Sequence, residues 1–541
     1  MAAPRTREEL IQQDIEDLRK LGYAQQLFRE MGGFSNFAIS FSIISILTGA
    51  VLLYGYGLKF AGPIINTVGW PVVSLFTMAV AASMAELASA WPTAGGLYFW
   101  AWKLGGRGWA WITAWLNMIG QITITAGINV AAAIYVIGAV TRIFDLPADT
   151  TVMGFALTDW NFQLLVMLVL TVPQVLINIF GIKLTAMLNT VSVYWHIGGV
   201  ILIAVALTVF GQHHNGLDFM LSSASAVSPR DAASAALTEG AAPVPALVFG
   251  DVKMASPLFA LVPPLADLYR TAPFWLCFLL ATLQAQWTYT GYDASAHVAE
   301  ETLMARVNSA WGVFLSVAVS SVVGYLMLLL LTAAIPNGDV AATANDPYPV
   351  LYIVYNNVGP VLANAIAVVI GGAMWLCGAA SITSMARMWY AFARDGGMPG
   401  SDYIKRIHPQ WKTPVWSILI TTALAVAVCV YAAAFFVITS IRTIALYLAY
   451  AVPIYLNWRN RRRGQGEHVG TTDAPWTLGR ASGVINAIAL GWVAVITVVF
   501  CLPPNELVLW SMVGCGLTLL VYWLAYAGSR FKGPNLTTET E

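Results

Sequence analysis

Charge is what this 541-residue chain has least of: Asp, Glu, Lys and Arg together make up 10% of it, against about a quarter in soluble proteins. So small a supply cannot cover the surface of several water-facing domains. The chain is 58% hydrophobic with a mean hydropathy of +0.70, which points to a polytopic membrane protein. Net charge is also missing, with 27 basic residues against 27 acidic, so nothing favours a nucleic-acid partner. Cysteine is sparse: Cys277, Cys377, Cys429, Cys501 and Cys515 lie scattered in apolar runs without metal-ligand spacing and are expected as small buried hydrophobes. His213 and His214 have no partner cluster, so no metal is expected. Neither H-E-x-x-H nor G-x-S-x-G occurs, which leaves an integral-membrane enzyme without a nucleophile or metal constellation. A removable leader is not expected, because RTREELIQQDIEDLRKLGYAQQLFRE is polar and charged and suits an amphipathic cytoplasmic lead-in.

What the chain has in abundance is long apolar runs. A spanning helix needs roughly 20 apolar residues. Twelve runs qualify, at about 34–60, 70–91, 108–140, 161–181, 185–210, 272–294, 308–335, 359–386, 414–432, 435–457, 481–502 and 506–526. They are continuous rather than alternating, which excludes a transmembrane β-barrel. Lys and Arg of the N-terminal segment, Lys103, Arg107, Lys183, Arg306, the 387–412 stretch and NWRNRRRG at 457–464 fall on one side, while 336–358 has no base at all. Both termini are therefore expected in the cytoplasm. The organisation expected is an N-terminal segment (1–33), helices 1–5 (34–210), a long outer loop (211–271), helices 6–10 (272–457), a basic cytoplasmic loop (458–480), helices 11–12 (481–526) and a C-terminal tail (527–541).

Two of these runs are interrupted. Thr48 and Gly49 stand inside SIISILTGAVLLYGYG of helix 1, and Thr290 and Gly291 inside WTYTGYDAS of helix 6. Glycine costs about 1 kcal/mol in a helix interior relative to alanine. Helices 1 and 6 open two five-helix halves, and broken helices at matching positions mark an inverted-repeat transporter with its site near the midplane. Helices 11 and 12 would be peripheral.

Four separated motifs carry a family resemblance: ASMAELASAWPTAGGLYFWAW (82–102), INIFGIKLTAMLN (177–189), GYDASAHVAEET (291–302) and ARMWYAFARDGGMP (386–399). They resemble the amino acid–polyamine–organocation superfamily, most of all its amino acid/choline permease branch. The resemblance runs from about Phe34 to about Ala525. It implies an all-α LeuT-type 5+5 fold, alternating access, and a plasma (inner) membrane location.

It also implies roles for particular residues. Amides of Thr48, Gly49 and Ala50 would hold a substrate carboxylate, although the family pattern is Gly-x-Gly and this chain has Thr-Gly-Ala. Carbonyls of Tyr289, Thr290, Gly291 and Tyr292 would receive an ammonium, with Trp287 as a capping aromatic and Trp375 as a second gating aromatic or a packing residue. Asp293, deep in the span, suits gating, proton exchange or direct ligation of a cation. His196 falls near the lysine that some proton-coupled members use, and an imidazole ordinarily titrates at about pH 6.5. Ser381, Thr383 and Ser384 offer hydroxyls to a sodium ion. Glu86 is expected at an inner gate or in a structural role, and Arg394 with Asp395 as gate partners. Gln121 and Asn129 are pocket or packing polars. Arg442 would either snorkel outward or line the outer vestibule and pair with a carboxylate.

The function expected is a secondary carrier for a small zwitterion such as GABA or another amino acid, coupled to protons, or else to sodium, with no other cofactor. Its partners would be the small-molecule solute and membrane lipid, in a monomer or weak homo-oligomer. A choline- or polyamine-type amine carrier is the alternative; a membrane enzyme or a sensor is more distant.

Overall fold

The computed structural model describes residues 6–147, 150–224, 257–271, 273–430 and 434–535. Most of the expected 211–271 loop (225–256) and the last residues of the C-terminal tail lie outside the described residues. The rest is a helical bundle, with one two-stranded hairpin pairing Thr151–Val152 with Phe155–Ala156.

An amphipathic helix α1 (Arg7–Lys20) opens the chain; Thr6 and Glu9 form its capping box. The first apolar run becomes three pieces, α2 (Gly33–Ile44), α3 (Gly49–Leu52) and α4 (Tyr54–Ala61). Then follow α5 (Trp70–Ala90), a short α6 (Leu97–Gly105), α7 (Arg107–Ile143), α8 (Trp160–Phe180) and α9 (Ile182–Val209). The sixth run is divided into α10 (Phe274–Ala281), α11 (Leu283–Thr288) and α12 (Ala294–His297). Beyond it come α13 (Ala305–Ala333), α14 (Pro360–Arg394), α15 (Val415–Val428), α16 (Ala434–Arg463), α17 (Ser482–Val499) and α18 (Glu506–Tyr522). Nine helical stretches among the described residues are long and apolar enough to cross a membrane. This is a multi-pass membrane protein.

Helix ends differ from the apolar counts where charge, not hydropathy, decides. Helix α14 runs on to Arg394, so Arg387 is a buried helical residue rather than part of a basic loop. Helix α16 continues through Arg461, Arg462 and Arg463, so the basic stretch opens as helix and not as loop. Arginine is a good helix former, cations near a C-terminus suit the helix dipole, and Gly464 then turns the chain at φ 60.

Helix α7, with 37 residues, is roughly 55 Å long at 1.5 Å per residue, more than a bilayer core of about 30 Å. It packs along α14 and α16, while α13 packs along α5 and α2. The broken helices lie inside this frame: every residue from Gln284 to Thr302 is buried. Backbone out of helix at that depth is tolerated because protein, not lipid, surrounds it.

Candidate functional site

The first break begins where α2 stops. Ser45 adopts φ 39, ψ 83, a left-handed cap, and the chain re-enters helix at Gly49. The amides of Ile46 and Leu47 donate to no backbone carbonyl among the described residues. Gly49 sits where the two broken helices touch: a Cβ there would meet Thr288 Oγ1 at 2.5 Å and Thr288 Cα at 2.7 Å. Thr48 and Ala50 are buried beside it.

His196 reaches this break from α9. Its Nδ1 lies 2.7 Å from the Ser192 carbonyl, so that nitrogen must donate. Its Nε2 is 2.8 Å from Ser45 Oγ, which in turn stands 2.5 Å from Thr48 Oγ1. In a neutral ring Nε2 is then the acceptor of the Ser45 hydroxyl.

The second break follows Thr288. Gly291 has φ +84, and a Cβ there would collide with Ile43 of α2, so glycine meets both a conformational and a spatial demand. The freed carbonyls are not left open. Tyr447 Oη donates to the Tyr289 carbonyl at 2.6 Å and Ser40 Oγ to that of Tyr292 at 2.8 Å. Arg442 Nη2 donates to the Trp287 carbonyl at 2.7 Å and to Thr290 Oγ1 at 2.6 Å. A substrate ammonium therefore finds the Trp287, Tyr289 and Tyr292 carbonyls already engaged.

Asp293 is engaged as well. Its Oδ2 receives Asn117 Nδ2 at 2.9 Å and Gln121 Nε2 at 3.2 Å, with His297 Nε2 at 3.0 Å; Tyr450 Oη donates to Oδ1 at 2.8 Å. The carboxylate ties α7, α12 and α16 together, and Gln121 serves it rather than open space. Asn129, two turns further along α7, lies against Gly378 of α14, and its Oδ1 has no hydrogen-bond partner among the described residues.

Arg442 does not snorkel. It is 1% exposed, its guanidinium lies 3.7 Å from the Trp287 ring centroid, and no carboxylate pairs with it among the described residues. Nε and Nη1 have no hydrogen-bond partner among the described residues. Gly127 of α7 lies beside Nη1: an added Cβ there would sit in van der Waals contact with it, at 3.8 Å. Burying a charge without a compensating partner is costly.

Four expected residues stand elsewhere. Trp375 donates Nε1–H to the Leu170 carbonyl of α8 at 2.9 Å and is half-buried, so it packs on a neighbouring helix. Ser381 bonds Thr125 of α7 and Thr383 bonds Asn178 of α8, so the helix-8 hydroxyls diverge instead of converging on one ion. Glu86 accepts from Thr477 Oγ1, the Leu478 amide and Ser482 Oγ, holding the 477–482 segment against α5.

On the terminus-bearing face the breaks are sealed. Arg394 and Asp395 are not partners of one another. Arg394 forms a two-pronged pair with Glu300 at 2.9 and 3.0 Å, under the Tyr23 ring. Arg387 pairs with Glu301 at 2.9 and 3.2 Å, wholly buried. Asp395 instead accepts from Tyr23 Oη and from the Asn535 amide. The N-terminal segment is laced in by Arg29, which donates to the Ala299 and Thr302 carbonyls. The residues not anticipated here are Ser45, Asn117, Arg387, Tyr447 and Tyr450; the four-residue spacing of Asn117 and Gln121 was the visible signal for one of them.

Long apolar helices, two of them broken where they are buried inside the bundle, suit a membrane carrier. The comparisons agree. The amino acid permease family model matches residues 31–525, and the chain belongs to that family. It is 32% identical over 545 residues to the amino-acid permease BAT1 homolog of Oryza sativa subsp. japonica, covering 96% of this chain and 94% of that protein. It is 30% identical to the amino-acid permease BAT1 of Arabidopsis thaliana, over 96% and 95% of the two chains. It is also similar to the GABA-specific permease of Saccharomyces cerevisiae, at 27% over 75% of this chain and 64% of that one.

Proposed function

We propose that this chain imports a small zwitterionic amino acid or GABA-like solute with protons, by alternating access around the two breaks. The observation that carries the reading is Arg442, buried between the breaks with two unused donors and no acid partner. A carboxylate is the substrate group that satisfies it, and a two-pronged contact is the strong form of that bond. The unbonded amides of Ile46 and Leu47 are a second seat for the same charge. A bare amine such as choline lacks that charge and would need an acidic seat, whereas Asp293 already takes four hydrogen bonds.

Protons are favoured over sodium because His196 occupies the first break. Protonated at Nε2, the ring donates to Ser45 Oγ instead of accepting from it. The Ser45 hydroxyl must then turn to Thr48, so the proton changes the hydrogen bonding at the point where helix 1 hinges. The same reading takes the two interrupted helices as openers of a LeuT-type 5+5 repeat with twelve spans. The last of these, only 11% buried, would be peripheral. It also sets the face sealed by Arg394–Glu300 and Arg387–Glu301, with both termini, in the cytoplasm of a cell at its plasma membrane.

A thermal-shift screen of the detergent-purified protein against GABA, amino acids, choline and polyamines tests the substrate class. Ligand at a hundredfold Kd stabilises by about 2.7 kcal/mol. Stabilisation by zwitterions supports the reading; stabilisation by choline alone overturns it.

A further inference from the structure

On the face that carries both termini, the end of α6, Gly106 ahead of α7, the foot of α16 and the 465–467 turn line an open basin of about 560 Å³. Lys103, Arg459 and Arg463 line it against one carboxylate, Glu467. Among the described residues the Glu467 carboxylate reaches only Lys103, at 3.7 Å, and is half exposed. Arg463 makes no ion pair or hydrogen bond among the described residues. The basin is built rather than incidental: Asn460 Nδ2 donates to both the Leu104 and Glu467 carbonyls at 2.9 Å, and its Oδ1 holds Arg459 in place. Gly105 and Gly106 form a wall, and Gly106 precedes the first turn of the 37-residue α7 with no side-chain cap. The positive end of a long helix thus opens onto three cations.

Exposed aromatics flank the basin. Trp109 and Tyr455, each 40% exposed, pack at 6.4 Å beside it, and Arg459 sits 6.0 Å from the Tyr455 ring. Trp102 lines its wall. Next to the start of α7 stand the end of α18 and the turn after it, where Leu520, Val521 and Leu524 are exposed to the surroundings. Trp523 lies close enough that a Cβ at Gly108 would meet it at 3.9 Å. A phosphate seat with an apolar flank matches a lipid and not a soluble anion, and clusters of basic residues just past a spanning helix attract anionic headgroups.

We infer that this basin binds the phosphate headgroup of an anionic phospholipid from the adjoining leaflet. The lipid would anchor the foot of α16, the helix that carries Arg442, Tyr447 and Tyr450 at the breaks. The inference does not depend on which solute is carried.

The test uses the full-length protein in neutral detergent, titrated with phosphatidylglycerol, phosphatidylcholine, inorganic phosphate and glycerol phosphate. Binding is read by native mass spectrometry and by Tm. Phosphatidylglycerol is expected to bind and raise Tm, with affinity falling about fivefold for Arg463→Gln and again by about as much when Arg459→Gln is added. Arg463 is exposed, so its variant keeps the fold. Arg530→Gln, a cation elsewhere on the same face, should leave the affinity unchanged. Equal binding of phosphatidylcholine, equal loss in Arg530→Gln, or unchanged binding in Arg463→Gln would each overturn the site. Stabilisation by inorganic phosphate to the same extent would overturn the lipid assignment.

Discussion

Replacing Arg442 with glutamine separates a binding role from a structural one, because the two predict opposite signs. Arg442 is buried without an acid partner, and an uncompensated buried charge costs several kcal/mol. The stack on Trp287 at 3.7 Å offsets about 2 kcal/mol of that when desolvated, and the bonds to the Trp287 carbonyl and Thr290 offset more. Glutamine retains an amide donor for one of those acceptors and removes the charge. Unfolding temperature in detergent should therefore hold or rise. Substrate affinity should fall, since a hydrogen bond to a charged group contributes about 1.5–3 kcal/mol, or about tenfold to about 150-fold in Kd. Arg442→Lys keeps the charge but not the planar fork and should lie between. Thermal shift and proteoliposome uptake, each run with GABA and with choline, read both quantities. A Tm lower by several degrees, with GABA and choline weakened equally, would refute the carboxylate role.

Three other outcomes follow from the same geometry. His196→Gln keeps hydrogen-bonding groups near Ser45 and Ser192 but takes no proton, so acid-stimulated uptake should vanish while counterflow exchange persists; undiminished acid stimulation rejects the coupling assignment. Gly291→Ala should cost about 1–2 kcal/mol from its positive φ alone, with the collision against Ile43 added, and should abolish ligand-induced stabilisation; wild-type affinity in a stable variant counts against the break as a site. Asp395, beyond the end of α14, is pushed up to about 7 by burial, partly offset by the Asn535 amide and the Tyr23 hydroxyl. A carboxyl raised from 3.8 favours the folded state most when protonated, so its contribution is full below about pH 3.8 and is lost as pH rises through about 7. Melting temperature should fall across that window, and Asp395→Asn should flatten the slope; an unchanged slope dismisses the assignment.

The parts legible in the sequence are those written in local composition. Two Thr-Gly pairs inside otherwise apolar runs mark chain that cannot stay helical, and the structure leaves helix at Ser45 and again at Tyr289. The parts not legible are set by helix rotation and by partners distant in sequence. Arg442 lies near one end of its run, where snorkelling costs little; only the rotation of α16 against α7 decides that it turns inward, and no local pattern encodes that rotation. Arg387 looked interfacial because the apolar count stops at Ala386, yet Glu301, 86 positions earlier, draws it wholly inside. Glu300 is likewise held inside by a partner distant in sequence, Arg394, 94 positions later. Trp375 shows the converse: an aromatic in mid-span suggests a gate, but the residue faces Leu170 on α8, as the rotation of α14 dictates. Asp293 shows the same limit from another side. Its depth marked it for function, but depth alone does not reveal that Asn117, Gln121, His297 and Tyr450 fill its hydrogen-bonding capacity. A buried acid already satisfied and a buried base left unsatisfied are indistinguishable as letters, and the chemistry of the site lies in that difference.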